Sequence, residues 1–139
     1  MHEEKKEYLQ NVRLLYKLIC SYEEELLEHR LITGCAPIGC YEQIAHGTDP
    51  RANSIEPAVI KILEYEELIK ETIARYIDTK AKCLEAIERI PDVTERAVLR
   101  FRYINGKSHG ETAKIIGYST EQEKRICNSA LEKFVIPES

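Results

Sequence analysis

Apolar side chains recur at alternating spacings of four and three residues near the start of the chain, and this repeat leaves few folds open. They are Tyr8, Val12, Leu15, Ile19, Tyr22 and Leu26. Side chains at this spacing lie on one face of an α-helix and form the seam along which it packs against another helix. Because neither Gly nor Pro precedes Gly34, the repeat predicts one helix over about residues 4–32.

A second repeat has an apolar residue at every seventh position. Its seam is Ile55, Ile62, Ile69, Tyr76, Cys83 and Ile90, and its partner positions are Val59, Ile73 and Ile87, interrupted by Glu66 and Lys80. Polar interruptions of this kind often set the register of helix pairs. Residues 34–54 are rich in Gly, Pro, Asp and Asn, which is typical of a loop. The two repeats predict a long antiparallel helical hairpin over residues 1–90, with Pro57 in the first turn of the second helix.

Three capping boxes follow Pro91 and mark three short helices. They pair Asp92 with Glu95, Ser108 with Glu111, and Ser119 with Gln122. In such a box the first side chain accepts from the backbone N–H three residues on, and the second reaches back. The boxes predict helices over 92–104, 108–116 and 119–134.

Gly117 supplies the left-handed residue of a tight corner between the last two short helices, so residues 91–139 are expected to form a trihelical helix-turn-helix domain. The fold class is therefore all-α. The residues expected inside this domain are Val98, Leu99, Phe101, Tyr103, Ile104, Ala113, Ile115, Ile116, Ile126, Ala130, Leu131 and Phe134.

Composition indicates a water-soluble protein of a reducing compartment. Apolar residues make up 43% of the chain, charged residues 32%, and the five cysteines are irregularly spaced. We expect neither a membrane span nor a secretory signal, and a cytoplasmic location. The net charge is −4, but residues 91–139 carry eight Lys/Arg and seven Asp/Glu, so charge does not exclude DNA binding.

No catalytic or cofactor site can be assembled from the sequence. His29, His46 and His109 have no acidic or nucleophilic partner at a telling spacing, and no phosphate-binding glycine loop occurs. A zinc site would need a second Cys/His pair at ligand spacing, and none accompanies Cys35, Cys40 and His46. We therefore expect the two cysteines to be free thiols. Cys127 is expected to be a small packing residue. We predict a protein that is not an enzyme, without cofactor or metal.

The C-terminal pattern resembles region 4 of the bacterial sigma-70 factors over about 45 of the 139 residues. The residues that carry the resemblance are Ile90-Pro91-Asp92, Glu95-Arg96, Val98-Leu99, Arg102-Tyr103-Ile104, Gly106, Ser108, Glu111-Thr112-Ala113, Ile116-Gly117-Tyr118-Ser119, Arg125-Ile126, Ala130-Leu131 and Lys133-Phe134. That region is a helix-turn-helix that reads the promoter −35 element and touches the RNA polymerase flap. With its helical stem, the chain is similar to the phage RinA and ArpU late-transcription regulators.

The resemblance implies a regulator that binds double-stranded promoter DNA in a bacterial host cell. The implied base contacts on the recognition helix are Thr120, Glu121, Gln122, Lys124, Arg125 and Asn128. The implied phosphate contacts are Lys107, Ser108, Thr112 and Lys114. The stem would engage RNA polymerase or a second copy in a homodimer.

Glu123 departs from the family pattern, which has an aliphatic residue at this core-facing position. A carboxylate there either reaches a cation at the edge of the packing or weakens the domain. Two further functions stay open: a protein-interaction module that occupies RNA polymerase or another regulator without reading DNA, and a DNA-packaging adaptor. The operator, the sign of regulation and the number of subunits are not encoded in any pattern we identify.

Overall fold

The computed structural model of the chain describes residues 2–34 and 52–138, with the backbone alone for residues 52–56. The larger part of the predicted loop at 34–54 lies outside the described residues, and with it Cys35, Cys40 and His46. The side chain of Ile55 lies outside them as well. The described part of the chain forms helices and turns and contains no strand, which confirms the all-α fold class.

Two long helices precede three short ones, as predicted. The long helices are α1 (Glu3–Thr33) and α2 (Ala52–Glu88). The short helices are α3 (Val93–Leu99), α4 (His109–Ile116) and α5 (Thr120–Lys133). A π-helical turn, Arg100–Ile104, continues α3. α2 begins at Ala52, within the predicted loop 34–54, so Pro57 lies inside the helix rather than in its first turn.

The chain divides into two compact units, and the division differs from the predicted boundary after residue 90. One unit consists of Met1–Leu15 and Arg75–Ser139, the other of Tyr16–Ala74. The ends of both long helices therefore belong with the short helices. The physical reason is burial: Leu9 and Val12 of α1 and Cys83 and Ile87 of α2 are fully buried in the core that α3 and α5 share.

The first unit has one continuous apolar core. Its buried members from the short helices are Val98, Leu99, Tyr103, Ile104, Cys127, Ala130, Leu131 and Phe134. Ala113 is buried as predicted, but Ile115 is 51% exposed, so its predicted place in the core is wrong. The start of α1 is also tied to the end of α5, because Lys5 Nζ donates to the carbonyl oxygens of Leu131 and Glu132 at 2.8 and 3.0 Å.

In the second unit, the rest of α1 packs against the first half of α2. Ile19, Leu26 and Ile62 are buried, and the Tyr22 and Tyr65 rings lie 6.2 Å apart. At the exposed edge, Arg30 NH2 and Glu66 Oε1 form an ion pair at 3.2 Å. Glu66 thus lies outside the seam and does not interrupt it.

At two of the three predicted partner positions, α2 buries the preceding residue instead, while Ile87 is buried as predicted. Val59 and Ile73 are 38% and 39% exposed, whereas Ala58, Thr72 and Ala86 are buried. Small side chains let the facing helix approach closely. The buried Thr72 hydroxyl has a hydrogen-bond partner on its own helix, because it donates to the Leu68 carbonyl at 2.7 Å. A search of the sequence for large apolar residues does not identify buried positions that hold Ala or Thr. The α1 seam is confirmed, with Val12, Leu15, Ile19 and Leu26 buried.

Candidate nucleic-acid interface

Two complete capping boxes open α4 and α5. Ser108 Oγ accepts from the Glu111 N–H at 3.1 Å and Glu111 Oε1 accepts from the Ser108 N–H, also at 3.1 Å. Ser119 and Gln122 repeat the arrangement at 3.2 Å. Between the helices, Gly117 adopts φ +79°, the left-handed conformation that the sequence predicts. Local hydrogen bonds thus hold the start of each helix, and the Gly117 N–H donates to the Ala113 carbonyl at the end of α4.

The capping box predicted at the start of α3 forms only by half. Asp92 accepts from the Thr94 and Glu95 N–H groups, but the Glu95 side chain does not reach back. Instead, Glu95 Oε1 accepts from Lys133 Nζ at 2.6 Å. This hydrogen bond, followed by the Glu95 charge, raises the pKa of Lys133. A tertiary partner has therefore replaced the local one, joining the start of α3 to the end of α5.

All six predicted base-contact residues are exposed on α5, between Thr120 and Asn128. They are Thr120, Glu121, Gln122, Lys124, Arg125 and Asn128. At about 100° per residue, Thr120, Lys124 and Asn128 follow one edge of the exposed face, and Glu121 and Arg125 follow its middle. Gln122 has a second task, because its Oε1 already accepts from both the N–H and the hydroxyl of Ser119. It does not offer the whole amide that a bidentate contact with adenine uses.

Three of the four predicted phosphate-contact residues lie at the surface. Lys114 and Ser108 are exposed and Lys107 is half-buried. The prediction for Thr112 is wrong: the residue is fully buried, and its hydroxyl donates to the Ser108 carbonyl at 2.8 Å. Thr112 faces the core from the first turns of α4, so it supports the helix and does not reach a ligand.

Glu123 is fully buried and has a partner that the sequence did not reveal. Its Oε2 lies 2.6 Å from Nδ1 of His109, the first residue of α4, whose side chain is 33% exposed. Its other oxygen, Oε1, has no hydrogen-bond partner in the described part of the chain. The carboxylate thus reaches a basic group at the edge of the packing. The only sequence signal was the core-facing position of Glu123, which requires some partner without identifying His109.

Polar and charged groups surround the Cys127 thiol, next to the Glu123–His109 pair. Burial, and after it the Glu123 charge, raises the pKa of the Cys127 thiol, while Arg102 and Lys6 act to lower it. Burial also raises the pKa of Tyr103 to about 12. Cys127 is 3% exposed, in keeping with its predicted packing role.

Cys127, Tyr103 and Arg102 also line a pocket of about 320 Å³ that no sequence pattern predicts. Its wall is drawn from α1, the π-helical turn, α4 and α5. The lining residues are Lys6, Gln10, Arg102, Tyr103, His109, Lys124, Cys127, Asn128 and Leu131. No short sequence pattern connects residues so far apart along the chain.

Over residues 2–34 and 52–138, no three His, Cys, Asp or Glu side chains cluster in a way that would hold a metal ion. Nor does any helix in these ranges have the length and apolar character needed to cross a membrane. Comparison of the chain with protein-family models, with curated proteins and with solved structures finds no significant match in any of the three.

Proposed function

We propose that this chain is a phage-type DNA-binding transcription regulator that reads promoter DNA in the cytoplasm of a bacterial host and activates late genes. One observation carries the proposal: a tight left-handed corner at Gly117 leads into α5, whose outer face presents exposed polar side chains from Thr120 to Asn128. A helix-turn-helix uses this local arrangement to place its second helix in the major groove. The resemblance to region 4 of the sigma-70 factors points to the same use.

The exposed side chains of α5 have the chemistry for base readout. Arg125 carries the planar fork that pairs with the O6 and N7 atoms of guanine, and Asn128 carries the amide that pairs with adenine. Lys107 precedes α4 and Lys114 lies in its last turn, and both would hold phosphates. Glu121 adds an acceptor for a cytosine amino group.

The stem supplies the surface for RNA polymerase or a second copy. Several apolar side chains of α2 stay exposed in the second unit, namely Val59, Ile60, Leu63 and Ile73. Exposed apolar side chains that form a contiguous patch mark interaction surfaces, and Val59, Ile60 and Leu63 lie within about one turn of each other. In this proposal the C-terminal helices select the promoter and the stem recruits the partner.

Selection from a pool of random-sequence duplexes, at two salt concentrations and with or without host RNA polymerase, tests the function. Enrichment of one motif by the protein alone is the expected result. Enrichment only with polymerase would indicate a sigma-like co-activator. If polymerase is retained and no motif is enriched, the chain is the interaction module and the DNA-reading proposal is wrong.

Two substitutions separate base reading from phosphate holding. Arg125→Ala is expected to cost about 1–3 kcal/mol on the selected site and to relax the preference at one base pair. Lys114→Ala is expected to weaken all sequences alike and to reduce the salt dependence, because it removes one phosphate contact. Affinities of both variants for the selected duplex and a scrambled duplex provide the measurement. Unchanged affinity in both would remove this face from the interface.

A further inference from the structure

The pocket beside Cys127 collects positive charge without a carboxylate in its wall. Lys6 comes from α1, Arg102 from the π-helical turn and Lys124 from α5. Within the described residues, none of the three forms an ion pair with an Asp or Glu. Like charges held around one small space repel each other, so an anion in that space would lower the energy of the folded chain.

Arg102 is held in place by the fold. Its NH1 donates to the Lys107 carbonyl at 2.8 Å, and its guanidinium carbon lies 5.4 Å from the centre of the Tyr103 ring. Its Nε is buried without a hydrogen-bond partner among the described residues. A fixed guanidinium loses little conformational entropy when an anion binds, which distinguishes it from a mobile surface cation.

One acidic residue adjoins the pocket, and its charge acts on Cys127 in the wall. Glu123 lies next to the pocket but not in its lining, and its Oε2 is bound to His109 at 2.6 Å. The remaining polar groups of the wall include the amides of Gln10 and Asn128, which add N–H donors of the kind that phosphate oxygens accept. Cations and neutral donors without a facing carboxylate make an environment suited to an anion with several acceptor oxygens.

We propose that this pocket binds a phosphate group through Lys6, Arg102 and Lys124. The phosphate comes either from the backbone of a duplex that lies across α5 or from a free phosphate ligand. Lys6 is the informative residue, because it belongs to α1 and no helix-turn-helix pattern includes it. The site therefore makes the first turns of the stem part of the ligand-binding surface.

The full chain is titrated with inorganic phosphate at constant ionic strength, with chloride as the control anion, while backbone amide NMR signals are recorded. We expect phosphate, and not chloride, to shift the signals of His109 and residues 124–128. Lys6→Gln should abolish these shifts. Lys17→Gln, an exposed lysine on the same helix, should behave as the unaltered chain does. Absence of a phosphate-specific shift, or identical shifts in the two variants, would overturn the proposal.

A second arm measures affinity for a duplex of arbitrary sequence across several salt concentrations. If the phosphate belongs to a duplex, Lys6→Gln should bind about three- to tenfold more weakly at low salt, and the slope of log affinity against log salt should fall by about 0.9. If phosphate shifts the amides while duplex affinity is unchanged in Lys6→Gln, or while no duplex binds, the ligand is a free phosphate. The pocket then stands even where the DNA-reading proposal fails.

Discussion

The carboxylate of Glu123 is fully buried and has one hydrogen-bond partner among the described residues. Only Oε2 is hydrogen-bonded, to His109 Nδ1 at 2.6 Å, and Oε1 has no partner among the described residues. Removing one member of such a pair leaves the other desolvated, whereas replacing the acid by an apolar side chain of similar size removes the problem. The two kinds of substitution are therefore expected to have opposite effects.

We predict that His109→Ala lowers the free energy of unfolding by about 1–3 kcal/mol, the cost of a buried polar group without its partner. Glu123→Leu is expected to be neutral or stabilising by about 1–4 kcal/mol, because the aliphatic side chain needs no partner. Urea denaturation of both variants provides the measurement. Glu121→Gln, at an exposed position of the same turn, is the control and should change little. A destabilised Glu123→Leu would mean that the pair contributes net stability.

At the scale of the element, the corner between α4 and α5 depends on backbone conformation more than on contacts. Gly117 adopts φ +79°, and a Cβ added there would meet nothing within 4 Å. Gly110 lies inside α4, where a Cβ would be 3.9 Å from Ser108 Oγ, an ordinary contact. A Cβ clashes at neither glycine, so the two substitutions compare a left-handed with a helical backbone.

Gly117→Ala is expected to lower stability by about 1–2 kcal/mol, since an L-residue in the left-handed region brings its Cβ close to its own backbone. Gly110→Ala should raise stability by about 0.5–1 kcal/mol, because alanine favours the helix and restricts the unfolded chain. Thermal unfolding of the two variants side by side tests this. Equal effects of the same sign would show that the left-handed conformation at Gly117 is not what holds the corner.

At the scale of the whole molecule, one core holds several protonated thiols and phenols. Burial raises the pKa of Cys83 to about 11 and that of Tyr103 to about 12, and it raises the pKa of Cys127 as well. Each group is neutral in the folded chain and loses its proton more readily when unfolded. Its contribution to stability is therefore complete below the unfolded pKa and is lost as the pH rises through the interval up to the folded pKa.

The free energy of unfolding should thus fall steeply from about pH 9 upwards, by roughly 1–3 kcal/mol for each of Cys83 and Tyr103. Urea denaturation between pH 8 and pH 11 measures the slope. Tyr103→Phe removes one titrating group from the core, so its stability should fall less steeply above pH 10 than that of the unaltered chain. If the stability of Tyr103→Phe and of the unaltered chain falls equally steeply with pH, groups other than Tyr103 cause the loss of stability at alkaline pH.

The residue patterns alone were enough to predict the helices, the glycine corner and two of the three capping boxes. Each feature depends on residues that are close along the chain. The seam of α1 depends on a repeat of four and three residues, and the Ser108 and Ser119 caps depend on a partner three residues later. The corner depends on the backbone conformation of Gly117 alone. The exposure of Lys124 and Arg125 followed from the same periodicity. Local geometry and side-chain chemistry suffice for such features.

Features that join distant parts of the chain were decided only by the tertiary structure. Glu95 bonds to Lys133 instead of closing its own cap, and Glu123 bonds to His109. Thr112 faces the core instead of a phosphate, and α2 buries Ala58 and Thr72 in place of Val59 and Ile73. The Lys6 pocket draws its wall from four elements. Apolar periodicity says which helix face is buried but not which polar group finds a partner there, since that depends on the packing of other helices.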